Sequence, residues 1–154
     1  MGQLKLSHRN KAYKQGYFYP KHPEKLLGNH KYAIYRSGLE LSYFRILDAN
    51  PQVIRWGSEE VIIPYFFENK WHKYYVDLVV LLQQGPLVKK LFIELKPYSQ
   101  TQMPKNSPRR KQKNYLRECY EWNKNNAKWA SAKQFAIKLG CEFHILTEKD
   151  IQKN

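Results

Sequence analysis

"VDLVVLLQQGPLVKKLFIELKP", residues 76–97, has the form of two strands joined by a tight turn. Its apolar runs flank "QQGP", a turn with a Gly-Pro breaker, which predicts a β-hairpin. Each run also carries acid. Asp77 opens the first, Glu94 sits in the second, and Lys96 follows two residues later. Side chains alternate across a strand, so residues i and i+2 share a face. Phe92, Glu94 and Lys96 are therefore expected on one face, with Leu91, Ile93 and Leu95 on the other. Asp77 lies eight residues before Gly85 and Glu94 nine after it. That spacing is compatible with cross-strand pairing of the two acids.

Two carboxylates placed together repel, and a cation between them stabilises both; oxygen-liganded Mg2+ is a natural occupant. A lysine on the same face then orients a water or stabilises negative charge growing on a phosphate oxygen. The plain alternative is a solvated sheet face, with Glu94 and Lys96 as ordinary surface residues and Asp77 paired to a lysine. An E-x-K tripeptide alone is common by chance. Asp77 at the head of a hydrophobic run favours the metal site, and so does Glu40. Glu40 falls at i, i+4, i+7 with Phe44 and Leu47, on the apolar side of a helix expected over residues 34–48. A carboxylate there wants a partner. Ser37-Gly-Leu-Glu40 also matches the S-x-x-E capping box, in which Glu40 reaches back to the Ser37 amide. The spacing leaves both roles open.

Outward from this centre, Asn50-Pro51 ends the first helix. "QVIRWG", "EEVIIPYFFE" and "WHKYYVDLVVLL" read as strands, with Pro64 marking an edge or a bulge. Residues 98–114 form a polar, strongly basic loop. Two helical segments follow, "YLRECYEWNKN" and "AKWASAKQFAIKLG". In the second, Trp129, Ala132, Phe135, Ala136 and Leu139 make an apolar stripe and Gly140 is the stop. "CEFHILTE" is a last strand. This order predicts an α/β domain with one mixed central sheet flanked by helices. Residues 1–33 are polar and basic, with turn signals at Pro20, Pro23 and Gly28. They read as an extended basic arm ahead of a domain over 34–154. The interleaved Tyr and Lys of the arm suit contact with nucleic acid or docking of Tyr17, Phe18 and Tyr19 on the body.

The bulk properties narrow the partners. A chain of 154 residues suits one domain with a real core. Its net charge of +14 calls for a polyanion. Duplex DNA, with about one negative charge per ~1.7 Å of axis, is the simplest, and an anionic membrane surface is second. No uninterrupted apolar span approaches the ~20 residues of a membrane-crossing helix. The basic N-terminus has no apolar segment behind it, unlike a signal peptide. A soluble intracellular protein is expected. Cys119 and Cys141 lack zinc-type spacing, so free thiols are the default. His8, His22, His30, His72 and His144 show no metal or triad spacing, and no Gly-rich phosphate loop supports an NTPase.

The ordered set Glu40, Asp77, Glu94-Leu95-Lys96, then helix and strand, resembles the PD-(D/E)xK nuclease superfamily. "YFYPKHPEKLLG", "IYRSGLEL", "FIELKP" and "KWASAKQFAIKLGCEFHILTE" are similar to the phage head completion nucleases, relatives of the TnsA N-terminal nuclease domain. The resemblance runs from about Gly16 to Glu148. It implies a restriction-endonuclease-like core and a Mg2+-dependent (or Mn2+-dependent) nuclease acting on double-stranded DNA. It implies Asp77 and Glu94 as metal ligands, helped by the Leu95 carbonyl, and Lys96 as the catalytic lysine. Glu40 would bind or orient a metal-bound water. The superfamily's proline before the Asp is Val76 here. A polar residue on the helix after the E-x-K strand often faces such a site, which points to Gln134 and Lys133; a solvated helix face is the alternative, preferred for Lys133. Lys105, Arg109, Arg110, Lys111 and Lys113 follow the E-x-K strand. They are expected to contact the DNA backbone, or else form a flexible solvated segment. The implied role is capsid maturation: hydrolysis at or near packaged DNA ends before tail joining. That places the protein in the virion head and host cytoplasm, with portal, neck or other head proteins as partners. A catalytically silent, basic DNA-binding component of the head or neck is the alternative.

Overall fold

A computed structural model describes residues 15–151. In chain order the elements are β1 (Gly16–Phe18), β2 (Ala33–Tyr35), α1 (Gly38–Ala49), β3 (Val53–Ser58), β4 (Ile62–Phe67), β5 (Lys70–Tyr75), β6 (Leu78–Gln84), β7 (Leu87–Leu95), α2 (Gln112–Lys138) and β8 (Glu142–Leu146). The central sheet has the order β3-β6-β7-β8. β3, β6 and β7 are antiparallel neighbours, and β8 joins β7 in parallel, so the sheet is mixed as expected. β4 and β5 form a separate antiparallel ribbon.

The quoted hairpin is β6–β7. Its register runs from Gln84↔Leu87 to Leu78↔Ile93. Gly85 turns the chain at φ +57°, a conformation in which a Cβ is strained. The sheet buries both of its faces. On the α1 side, Leu78, Val80, Ile93 and Leu95 pack with Phe44 and Trp56, whose ring centroids are 5.1 Å apart. On the α2 side, Val76, Val79 and Phe92 pack with Ala132 and Ala136, joined by Ile63, Tyr65 and Tyr74 from the ribbon.

The first helix, expected over 34–48, starts at Gly38 behind its Ser37 cap, because Ala33–Tyr35 pair with β1. Three further expectations need correction. The run "WHKYYVDLVVLL" is two strands, not one. Val76 N–H donates to the Val61 carbonyl at 3.0 Å, and the Glu59 amide donates to the Asp77 carbonyl at 3.3 Å. These long-range bonds divert the chain between β5 and β6. The two expected C-terminal helices are one, α2, of 27 residues. The weak helix formers of "NKNN" (residues 123–126) suggest a break. Burial of Trp129, Ala132 and Ala136, and the edge-on Trp122–Trp129 contact, carry the helix through instead. It ends in a Schellman motif: Cys141 N–H donates to Ala136 O and Gly140 N–H to Ile137 O, with Gly140 at φ +69°.

The third concerns the arm. Residues 1–14 of it lie outside the described residues. From residue 15 onward the segment is folded onto the body. β1 pairs with β2, and the Phe18 ring sits 5.9 Å from Phe44 and 6.2 Å from Trp56. Leu26 is buried in the same cluster. Buried Asp48 accepts the Lys21 and His22 amides at 2.8 and 3.0 Å, and Lys25 Nζ donates to the Asp48 and Asn50 carbonyls. Of the three rings expected to dock, Phe18 does. Tyr17 and Tyr19 stay exposed and lean on Tyr32. No described helix is long and apolar enough to cross a membrane.

Candidate active site

The alternation read from β7 holds. Phe92 packs on the α2 side, Ile93 and Leu95 on the α1 side. Glu94 follows Phe92 and is 2% exposed. One further step of the hairpin register sets Asp77 opposite Glu94. The Asp77 carboxylate reaches across and accepts the Leu95 amide at 2.8 Å. The Glu94 carboxyl lies close enough for its charge to act on Asp77. Burial, then the Glu94 charge, pushes the Asp77 pKa up to about 8, with Glu40 adding to the rise and the Leu95 amide opposing it.

Lys96 stands beside the pair, its Nζ 3.4 Å from Glu94 Oε1. Its backbone is pinned by the parallel strand, since Lys96 N–H donates to the Leu146 carbonyl at 3.0 Å. Glu40 serves chiefly as a cap. Ser37 Oγ accepts the Glu40 amide at 3.1 Å, as a capping box requires. The Glu40 carboxylate accepts the Arg36 amide at 3.2 Å and the Ser37 hydroxyl at 3.3 Å, so its backbone partner is Arg36 rather than the expected Ser37. Burial, more than the nearby Glu59, raises its pKa. It is close enough for its charge to act on Asp77.

Two residues outside the sequence expectation complete the centre. Tyr74, near the end of β5, donates a short hydrogen bond from its hydroxyl to Glu94 Oε2. Lys128 of α2 places Nζ 4.0 Å from Glu94 Oε1 and 4.5 Å from the centre of the Tyr74 ring. Burial lowers the Lys128 pKa, and Glu94 opposes that shift. Lys128 was legible in principle, for it lies one turn before Ala132 on the buried stripe. Gln134, expected here, and Lys133, expected on a solvated face, are both exposed and do not line the cleft beside the site; Lys128 of α2 lines it instead.

That cleft has a volume of about 1270 Å³ and lies between α2, the 98–105 loop and β5. Lys73, Lys96, Lys105, Arg117, Lys124 and Lys128 line it, against two acids, Glu118 and Glu121. Of the expected basic loop, Lys105 reaches the cleft. Arg110 is bound within its own neighbourhood, paired to Glu118, bonded to the Lys105 carbonyl at 2.9 Å and lying against Tyr115. Arg109, Lys111 and Lys113 are exposed.

Among the described residues no three His, Cys, Asp or Glu side chains converge to ligate a metal. The donor set still fits a hard divalent ion. Mg2+ is usually held by one or two carboxylates, with water and substrate phosphates supplying the rest. Asp77 and Glu94 are such a pair, held together where burial and their mutual repulsion disfavour charge that a cation would offset.

Residues 50–148 match the family described as TnsA-like endonuclease N terminal. Asp77, Glu94, Lys96 and Lys128 fall inside the matched span, and Glu40 falls before it. The head completion nuclease of Enterobacteria phage T4 is 37% identical over 142 residues, covering 89% of this chain and 93% of that protein.

Proposed function

This chain belongs to the TnsA-like N-terminal endonuclease family, and from that premise we propose that it is a divalent-metal-dependent DNA nuclease of a phage head. Its task in this reading is to hydrolyse phosphodiester bonds at or near packaged DNA ends during capsid maturation, before tail joining. One observation carries the proposal: Asp77, Glu94 and Lys96 meet at the end of one buried hairpin, where a basic cleft opens.

The Asp77 and Glu94 carboxylates and the Leu95 carbonyl would hold the ion, Mg2+ or Mn2+, with Glu40 acting through water. When bound, the ion supplies positive charge and Lewis acidity for attack of water on a phosphodiester. The protein supplies the rest. Lys96 donates to a phosphate oxygen and stabilises charge there as the bond breaks. Tyr74 fixes one oxygen of Glu94, which leaves Oε1 directed at the two lysines. Lys128 holds a second positive charge in a partly buried place, where it acts more strongly than in water. Lys73, Lys105, Arg117 and Lys124 receive backbone phosphates and position the strand without reading its sequence.

The test is cleavage of linear and closed circular DNA with Mg2+, with Mn2+ and with EDTA, for the parent, Asp77→Ala and Lys96→Ala. Metal-dependent cutting by the parent, lost in both variants while DNA binding survives, is the expected result. Equal cutting by all three would sink the assignment. Binding without cutting under any condition would leave the +14 charge as the whole function, that of a structural DNA-holding component.

A further inference from the structure

We propose that the outward face of the β4–β5 ribbon is a stacking platform for unpaired bases at a DNA terminus, leading the strand to Lys96. The inference rests on the nuclease reading and deepens it by naming the substrate class.

The register pairs Ile62 with Tyr75, Pro64 with Lys73 and Phe66 with Trp71. All six side chains are exposed, and by strand alternation all six share one face. The other face is occupied: Ile63, Tyr65 and Tyr74 are buried against α2. The tip is braced. The Phe67 ring meets Tyr120 of α2 at 5.6 Å, and the Tyr120 hydroxyl donates to Glu68 at 3.4 Å. Trp71 is 71% exposed and Phe66 52%, with their rings edge-to-face at 5.4 Å. Large rings held in water on a rigid ribbon mark a binding surface.

Charge selects the occupant. From Ile62 to Tyr75 the acidic residue is Glu68, which is tied to Tyr120, while Lys70 and Lys73 are exposed. The root of the ladder, Lys73 and Tyr75, also lines the cleft that contains Lys96. The face therefore extends from the tip to residues that line the cleft, over about 14 Å of strand. Flat aromatic rings beside cations, continuous with a phosphate-binding cleft, suit single-stranded nucleic acid, whose bases stack without regard to sequence. A purely apolar protein partner would use the rings but neither the lysines nor the continuity.

The experiment measures binding in EDTA, by fluorescence anisotropy, of a blunt duplex and of the same duplex with a single-stranded overhang. The parent should hold the overhang DNA about tenfold tighter, the effect of stacking on one or two rings. Trp71→Ala should lose that preference and Trp71→Tyr should keep it, while both cut blunt duplex with Mg2+ at the parent rate. Absence of a preference in the parent, or its survival in Trp71→Ala, overturns the platform and leaves the nuclease reading standing. A DNA-free parent that self-associates in sedimentation, and becomes monomeric in Trp71→Ala, overturns it in favour of an interface between copies. A parent that neither binds nor cuts either DNA removes the nuclease reading, and the platform with it.

Discussion

The two faces of the central sheet are made from the same strands and bury opposite things. Toward α1 the sheet presents Leu78, Val80, Ile93 and Leu95 to Phe44 and Trp56, an apolar layer. Toward α2 it begins alike, with Val79 and Phe92 on Ala132 and Ala136. At the end of β7 that layer changes character, and Glu94, Tyr74, Lys96 and Lys128 lie where apolar side chains would pack. Buried polar groups destabilise unless they are partnered. These are partnered with one another, and Asp77 still carries the burden as a raised pKa. One layer thus supplies stability, and the other gives up part of it to hold a polar cluster.

Substitutions should separate the layers. Asp77→Ala and Lys96→Ala should lower DNA cleavage on the order of 10³-fold, the scale of losing a group aimed at developing charge. Thermal unfolding of the ion-free proteins should show Tm unchanged or, for Asp77→Ala, raised. A collapse of Tm in step with activity would mean that the α2 end is structural after all. Phe44→Ala should do the reverse. It is fully buried, so its loss should remove about 3–5 kcal/mol in denaturant unfolding. The fraction that stays folded should cut at the parent rate.

Proton linkage gives a pH-dependent effect with a definite sign. The Asp77 pKa lies near 8 in the fold against 3.8 unfolded, so across that interval the folded state binds the extra proton. Stability of the ion-free protein should therefore be greatest at low pH within this window. It should fall by up to about 1.4 kcal/mol per pH unit as pH rises toward 8. Asp77→Asn should flatten that slope, and Mg2+ at pH 8 should raise Tm in the parent but not in the variant. Cleavage at limiting Mg2+ should climb over the same range, because the ion competes with the proton. A flat pH profile of Tm would show that the acid pair is not strained. Tyr74→Phe is the mildest break. It removes the donor to Glu94 Oε2 and should destabilise the ion-free protein by about 1–2 kcal/mol, with a smaller loss once the ion is present.

The hairpin and its charged face were legible because both follow from local rules. The turn signal set the pairing, and a period of two put Glu94 and Lys96 together. What escaped was set at long range. Nothing local in "YYVDLV" announces that Val76 and Asp77 will bond to Val61 and Glu59, which splits β5 from β6. The stretch "NKNN" weakens a helix that tertiary packing then keeps whole. Tyr74 looked like one more strand aromatic until β5 brought its hydroxyl to Glu94. The choice of Lys128 over Lys133 and Gln134 turned on the rotation of α2 about its axis, which an apolar stripe fixes only when every member of the stripe, charged ones included, is counted.

The brace formed by residues 16–35 has a consequence for anyone who trims this gene. The span shared with the family begins at residue 50, yet Trp56 and Phe44 are roofed by Phe18 and Leu26, and Asp48 is clasped by the amides of Lys21 and His22. The matched family span thus draws a border inside one packed unit, although the T4 relative aligns across it. An expression clone cut at that border would discard both α1 and the lid over its own core.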